Sequence, residues 1–254
     1  MLRTIIATLV WLALGIALAP AGEIRVLAAV AVKDPLDRFA EAFTRATGHK
    51  VDVGYSLTGP ILADIKAGKP VDAVVLPEQG KVALVGLGLI EKSVSVAASL
   101  AGVGIRADAP TPDVSTLDAF KALLRSAPSI SYTDPKSGGA FGQYFARALV
   151  EIGMADEVAR KAVLVAGSHL VVMTVAKGEA AIGITFKSAI VTTPGLKFAG
   201  TLPHPLEDRE PFTAGVLKNA KEPEIAQAFV ASLVAPEAAA VWTELGFATG
   251  LASH

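Results

Sequence analysis

From Glu23 onward, blocks of apolar residues alternate with polar turns marked by glycine and proline. The run Ile24-Arg-Val-Leu-Ala-Ala-Val-Ala-Val32 has the length and near-continuous apolarity of a strand covered on both faces. Lys33-Asp34-Pro35 then predicts a helix start, with Asp34 as N-cap and Pro35 at the first helical position. Leu36, Phe39, Ala40 and Phe43 give that helix its buried stripe, and Gly48 ends it. Val51–Tyr55 reads as the next strand, and Ser56–Pro60 as a polar turn into a helix carrying Ile61, Leu62 and Ile65. Val71–Leu76 is a third strand, followed by a helix over 78–85. This alternation with short connections predicts a parallel sheet covered by helices. Ligands of such sheets sit beyond the carboxyl ends of the strands, which places the turns at 31–34 and 55–60 on the binding edge.

The pattern loosens into an extended segment over 95–106 and then restarts. A helix over 117–126 precedes a short strand, Ser129–Thr133, which Asp134-Pro135 stops because proline has no N–H for the ladder. Gly138, Gly139 and Gly142 permit a tight turn, and apolar positions 141, 144, 145, 148, 149 and 152 then follow a helical period up to Gly153. The free N–H groups and positive dipole end of such a helix suit an anion. Lys136 and Ser137 add a cation and a hydroxyl, although an ordinary strand-to-helix turn would look the same. Val163–Val165 is a strand whose end, Ala166-Gly167-Ser168-His169, opens a helix over 170–177. A strand over 180–186, an extended piece over 198–202, a polar link over 204–209, a strand over 212–217 and two last helices over 222–234 and 236–244 complete the chain. The restarted alternation over 104–200 predicts a second lobe inserted into the first.

Composition adds location. Met-Leu-Arg3, the apolar run Thr4–Ala19 and Ala19-Pro20-Ala21 have the layout of a secretory signal peptide spanning 1–21 and cleaved before Gly22. The run is shorter than the ~20 residues of a membrane span. A periplasmic protein is therefore expected. There is no cysteine, so neither a disulfide nor a lipid-anchored cysteine is available. Losing Arg3 from 23 basic residues against 24 acidic ones leaves the mature chain at −2. With no basic run and few aromatics, nucleic acid is not an expected partner. No metal-ligand spacing, nucleophile elbow or dinucleotide fingerprint is present, so neither a metal nor a cofactor is expected.

Five stretches in order carry a family resemblance: Ile24-Arg-Val-Leu-Ala-Ala-Val-Ala, Gly68-Lys-Pro-Val-Asp-Ala, Tyr132-Thr-Asp-Pro-Lys-Ser-Gly-Gly-Ala, Gly178-Glu-Ala-Ala-Ile-Gly-Ile and Pro236-Glu-Ala-Ala-Ala. Over essentially the whole mature chain it resembles periplasmic solute-binding proteins of the molybdate-binding type, which serve ABC transporters. The resemblance implies the type II periplasmic binding protein fold: two doubly wound α/β lobes joined by two crossover segments, with a small anion held between them. The lobes would be 22–101 plus 204–254, and 102–203, with crossovers near Ala98–Val103 and Thr201–Pro205. An ABC transporter permease would be the partner of a protein expected to act as a monomer.

The same resemblance implies which residues touch the ligand, and here the chain departs from the family. A serine after the first strand becomes Ala31, a second serine becomes Thr58 beside Gly59, and a donor tyrosine becomes Phe186. Backbone donors near Phe141 and Ser168 would persist. Each lost charge-assisted hydrogen bond costs ~1.5–3 kcal/mol, enough to weaken tetrahedral oxyanion binding by decades. The same loops carry Lys33, Lys136, His169 and Lys187, with Tyr55, Ser56, Ser137 and Gly139 near them. Several cations on one edge suit an organic polycarboxylate, a di- or tricarboxylate, rather than molybdate or tungstate. The plain alternative is that each lysine is a solvated loop residue. Some exported proteins similar to this type are aconitate isomerases, so a second reading is an enzyme moving a proton on an unsaturated tricarboxylate. His169 would then be its acid–base group. His49, His204 and His254 suggest no role.

Overall fold

The computed structural model describes residues 21–250 apart from Glu91, Gly138 and Gly139. The proposed leader therefore lies outside the described residues. Nine strands are described: β1 (Glu23–Ala29), β2 (Lys50–Ser56), β3 (Ala73–Pro77), β4 (Ser93–Arg106), β5 (Ile130–Thr133), β6 (Ala162–Val165), β7 (Ile182–Phe186), β8 (Leu196–Thr201) and β9 (Arg209–Val216). Between and after them lie α1 (Lys33–Thr47), α2 (Thr58–Lys66), α3 (Glu78–Gly86), α4 (Leu117–Ser126), α5 (Ala140–Glu151), α6 (Ala155–Ala159), α7 (Ser168–Ala176), α8 (Lys187–Val191), α9 (Pro223–Ser232) and α10 (Ala238–Glu244).

Each half has a parallel nucleus. β1 lies between β2 and β3, with Ala28 opposite both Tyr55 and Val75. β5 lies between β6 and β7, with Tyr132 opposite Leu164 and Ile184. The sheets are nonetheless mixed, a correction to the all-parallel expectation. β9 runs antiparallel to β3 and β4, and β4 runs antiparallel to β7 and β8. A chain that leaves one half and later returns needs strands in opposite directions at the junction. β4 serves both halves: Ser93–Leu100 pairs with β9, and Ala101 onward with β7 and then β8. The segment that looked weakly patterned is thus one 14-residue strand.

Three apolar clusters hold these layers. One packs α1, α9 and α10 on the first sheet around fully buried Trp242, whose ring lies 5.3 Å from both Phe39 and Phe247. A second, with Ile61, Ile65, Leu76 and Leu84, covers the opposite face of that sheet. A third, with Phe120, Phe145, Ile130 and Ile184, belongs to the other half. The Gly68–Ala73 motif has a structural task. Asp72 is buried and accepts hydrogen bonds from the N–H groups of Arg25 (2.7 Å), Lys221 (2.7 Å) and Glu222 (3.2 Å), tying β1 to the entry of α9.

Local details differ from expectation at Asp34 and at two short helices, α6 and α8. Asp34 is not an N-cap: a 3-10 turn over Val30–Val32 runs directly into α1, whose cap position is Val32. Gly48 does close α1, at φ 77°. The five-residue α6 and the five-residue α8, which directly follows Phe186, were not anticipated, because one turn of helix is too short to display a period.

Candidate functional site

The carboxyl ends of β1, β2, β6 and β7 face a single cavity of about 580 Å³. One wall comes from the first half: Val30, Ala31, Lys33, Asp34, Pro35 and Leu57, with Leu245 and Phe247 from the turn after α10. The other wall comes from the second half: Ala166–His169, Val172 and Phe186, then Ser188, Ala189, Thr192 and Thr193 on and after α8. Val30 and Leu57 are 51 % and 71 % exposed, so the first-half wall presents aliphatic surface to the cavity.

The helices α2 and α7 open toward this space without a side-chain cap. In α7 the first intrahelical bond is Val171 N–H to Gly167 O at 3.3 Å, so the amides of Ser168, His169 and Leu170 precede it. Gly167, at φ 101°, makes the sharp entry that aims them at the cavity. In α2, Ile61 closes on Leu57 at 3.2 Å, leaving Thr58 and Gly59 ahead of it. Uncapped N–H groups with the positive end of the helix dipole favour a negative ligand.

The charged groups are fewer than the loops promised. Lys33 lines the cavity, paired with Asp37 and lying 5.1 Å from the centre of the Tyr55 ring. Its hydrogen bond and charge contact with Asp37 raise its pKa. Tyr55 OH donates to Asp37 Oδ1 at 2.5 Å, and burial followed by that contact holds the phenol well above its ordinary range. Tyr55 thus braces Lys33 from outside the cavity lining. Lys187 turns away, its ammonium 5.3 Å from the Phe198 ring centre. Lys136 and Ser137 belong to an exposed 3-10 turn closed on Asp134: Lys136 N–H donates to the carboxylate at 2.9 Å and Ser137 Oγ to the carbonyl at 2.7 Å. None of Lys136, Ser137 and Lys187 lines the cavity.

Of the other expected residues, Ala31, Ser168, His169 and Phe186 line the cavity, whereas Thr58 and Gly59 sit at its edge beside Leu57. The Phe141 side chain is buried behind the site, its ring 4.9 Å from that of Phe186, and is not part of the cavity lining. Gly139 lies outside the described residues. Sequence reasoning missed the contribution of Leu245 and Phe247 and of α8. The tail reaches the cavity because Phe247 is anchored against Trp242 and Phe212, and because Ala98 and Ala248 exchange backbone hydrogen bonds of 2.9 Å. Between the two side chains, Gly246 at φ 86° lies so close to α8 that a β-carbon there would be 2.8 Å from both N and Cα of Ser188.

Residues 24–248 match the family described as bacterial extracellular solute-binding protein. The chain belongs to that family. It is 26 % identical over 230 residues to an aconitate isomerase from a Pseudomonas species, covering 87 % of this chain and 85 % of that protein. It is 25 % identical over 241 residues to the molybdate-binding protein ModA of Escherichia coli, covering 92 % and 91 %. The periplasmic molybdate-binding protein of Azotobacter vinelandii superposes with a TM-score of 0.68 at 19 % identity, over 90 % of this chain and all of that one. The fold is accordingly the type II periplasmic binding protein fold, with two α/β lobes joined by two crossovers.

Proposed function

We propose that this protein is exported to the periplasm, captures a small organic polycarboxylate in the cavity between its lobes, and hands it to an ABC transporter permease. The lobes are taken as 22–101 plus 204–254, and 102–203, so the cavity walls lie on different lobes and closure by hinge motion would bury the ligand. The observation that carries the reading is the chemistry of the walls. Uncapped helix starts at α2 and α7, with Lys33 and His169, favour an anion. Ala31 and Phe186 provide no hydroxyl for a bare tetrahedral oxyanion. Val30 and Leu57 give the carbon atoms of an organic ligand an apolar surface to rest on.

Titration calorimetry of the mature protein with citrate, aconitate and molybdate tests this. Micromolar binding of an organic acid with molybdate much weaker is expected; micromolar binding of molybdate alone would overturn it and support the molybdate or tungstate reading.

A second reading, an isomerase of an unsaturated tricarboxylate, is favoured by one further observation: His169 sits exposed on the cavity wall at the start of α7, where a proton-transfer group could reach a ligand. Incubation with cis- or trans-aconitate separates the two, since interconversion by the parent and its loss in His169→Ala is the enzyme's signature.

A further inference from the structure

We infer that the cavity is built for a dicarboxylate with a hydrocarbon body, in preference to a hydroxylated or three-fold charged acid; this rests on the proposed reading of an organic polycarboxylate. Among the described residues that line the cavity, the basic side chains are one lysine and one histidine, Lys33 on one wall and His169, at the uncapped start of α7, on the other. Two carboxylates have partners there. A third would meet Asp34, which lines the same wall as Lys33, and would draw on a lysine already shared with Asp37.

Of the four hydroxyl side chains that line the cavity, Ser168 and Ser188 stand at the starts of α7 and α8 on the second wall, and the two threonines are engaged with their own backbone. Thr192 Oγ1 donates to the carbonyl of Ser188 at 2.8 Å, and Thr193 Oγ1 donates to that of Ala189 at 2.7 Å. Both threonines therefore turn their polar atoms to their own helix. The space between the charged ends is bounded by Val30, Leu57, Val172, Phe186, Leu245 and Phe247. A ligand hydroxyl pressed against such a wall loses water and gains no partner, which disfavours it. A methylene placed there is favoured by about fourfold in affinity when fully buried. The exposed aliphatic groups of Val30 and Leu57 are the surface that such a body would cover.

The test is titration of the mature protein with adipate and suberate, the hydroxylated acids tartrate and citrate, the monoacid hexanoate, and molybdate. The better of adipate and suberate should bind at least about tenfold more tightly than tartrate, citrate or hexanoate. The double substitution Val30→Ser, Leu57→Ser should remove most of that preference. Both sites are exposed, and an unchanged thermal unfolding midpoint will show that the variant is folded. Tighter binding of citrate or tartrate overturns the inference while leaving capture of an organic polyacid intact. Hexanoate equal to the diacids overturns the two-carboxylate requirement. A preference unaltered by the double substitution overturns the apolar wall. Binding of molybdate alone, or of no probe, overturns both the inference and the reading beneath it.

Discussion

The two walls of the cavity solve the same problem with different chemistry. The first-lobe wall offers aliphatic surface and a single lysine whose charge is already shared with Asp37 and whose position is braced by Tyr55. The second-lobe wall offers the start of α7, where Gly167 turns the amides of Ser168 and His169 into the open, beside threonines that satisfy themselves. One wall is mainly a cover and the other mainly a grip. The difference teaches that anion affinity need not come from a cluster of lysines: a helix start supplies fixed donors that no side-chain substitution removes.

That contrast can be broken by rewriting it. Ala31→Ser with Phe186→Tyr places a hydroxyl on each wall. It should raise molybdate affinity by about two decades or more, from ~1.5–3 kcal/mol per charge-assisted hydrogen bond, as read by calorimetry. The next largest effect is expected where the walls touch. Gly246→Val forces a branched side chain into a left-handed backbone position and against Ser188. The strain is about 1–3 kcal/mol, so carboxylate affinity should fall roughly tenfold as closure is blocked, with a lower unfolding midpoint.

Much of the architecture was legible before any coordinates, because buried parallel strands write their apolarity continuously: Ile24–Val32 and Val71–Leu76 fell where β1 and β3 lie. Glycine and proline punctuation likewise put Gly48 and the strand end at Asp134-Pro135 in place. What the pattern could not carry was side-chain direction. Lys33, Lys136 and Lys187 all occupy loops at strand ends, yet one faces the cavity, one projects from a turn closed on Asp134, and one lies on Phe198. A flexible lysine stem leaves that choice to neighbours distant in sequence. The tail was hidden for a related reason, since Leu245 and Phe247 reach the site through packing on Trp242 and Phe212 that no local period announces.

Effects of that size or smaller sharpen the comparison. Lys33→Met should weaken a dicarboxylate by about tenfold, to near the affinity of hexanoate, because Lys33 is the partner of one of its two carboxylates. A larger loss in the calorimetric affinity would move the grip to the first wall. The hinge side has its own signature. Asp208 and Glu210 are half-buried beside the proposed second crossover, and desolvation raises both pKa values, with Asp208 adding to the effect at Glu210. Raised carboxyl pKa values mean stability that is full below the unfolded-state values and declines as pH climbs through the higher folded-state ones. The unfolding midpoint should therefore gain from mild acidity in this respect, and Asp208→Asn should flatten that part of its pH profile. Tyr55→Phe, which removes the brace on Asp37, should cost about 1 kcal/mol or less in denaturant unfolding.

Amide hydrogen exchange tests two-walled capture most directly. With the tightest-binding carboxylate at saturation, slowed exchange is predicted at both the α7 start, residues 167–171, and the first-lobe lip, residues 30–35 and 57–59. Protection confined to one wall, or absent from both while the acid is bound, would contradict a ligand held between two closing lobes.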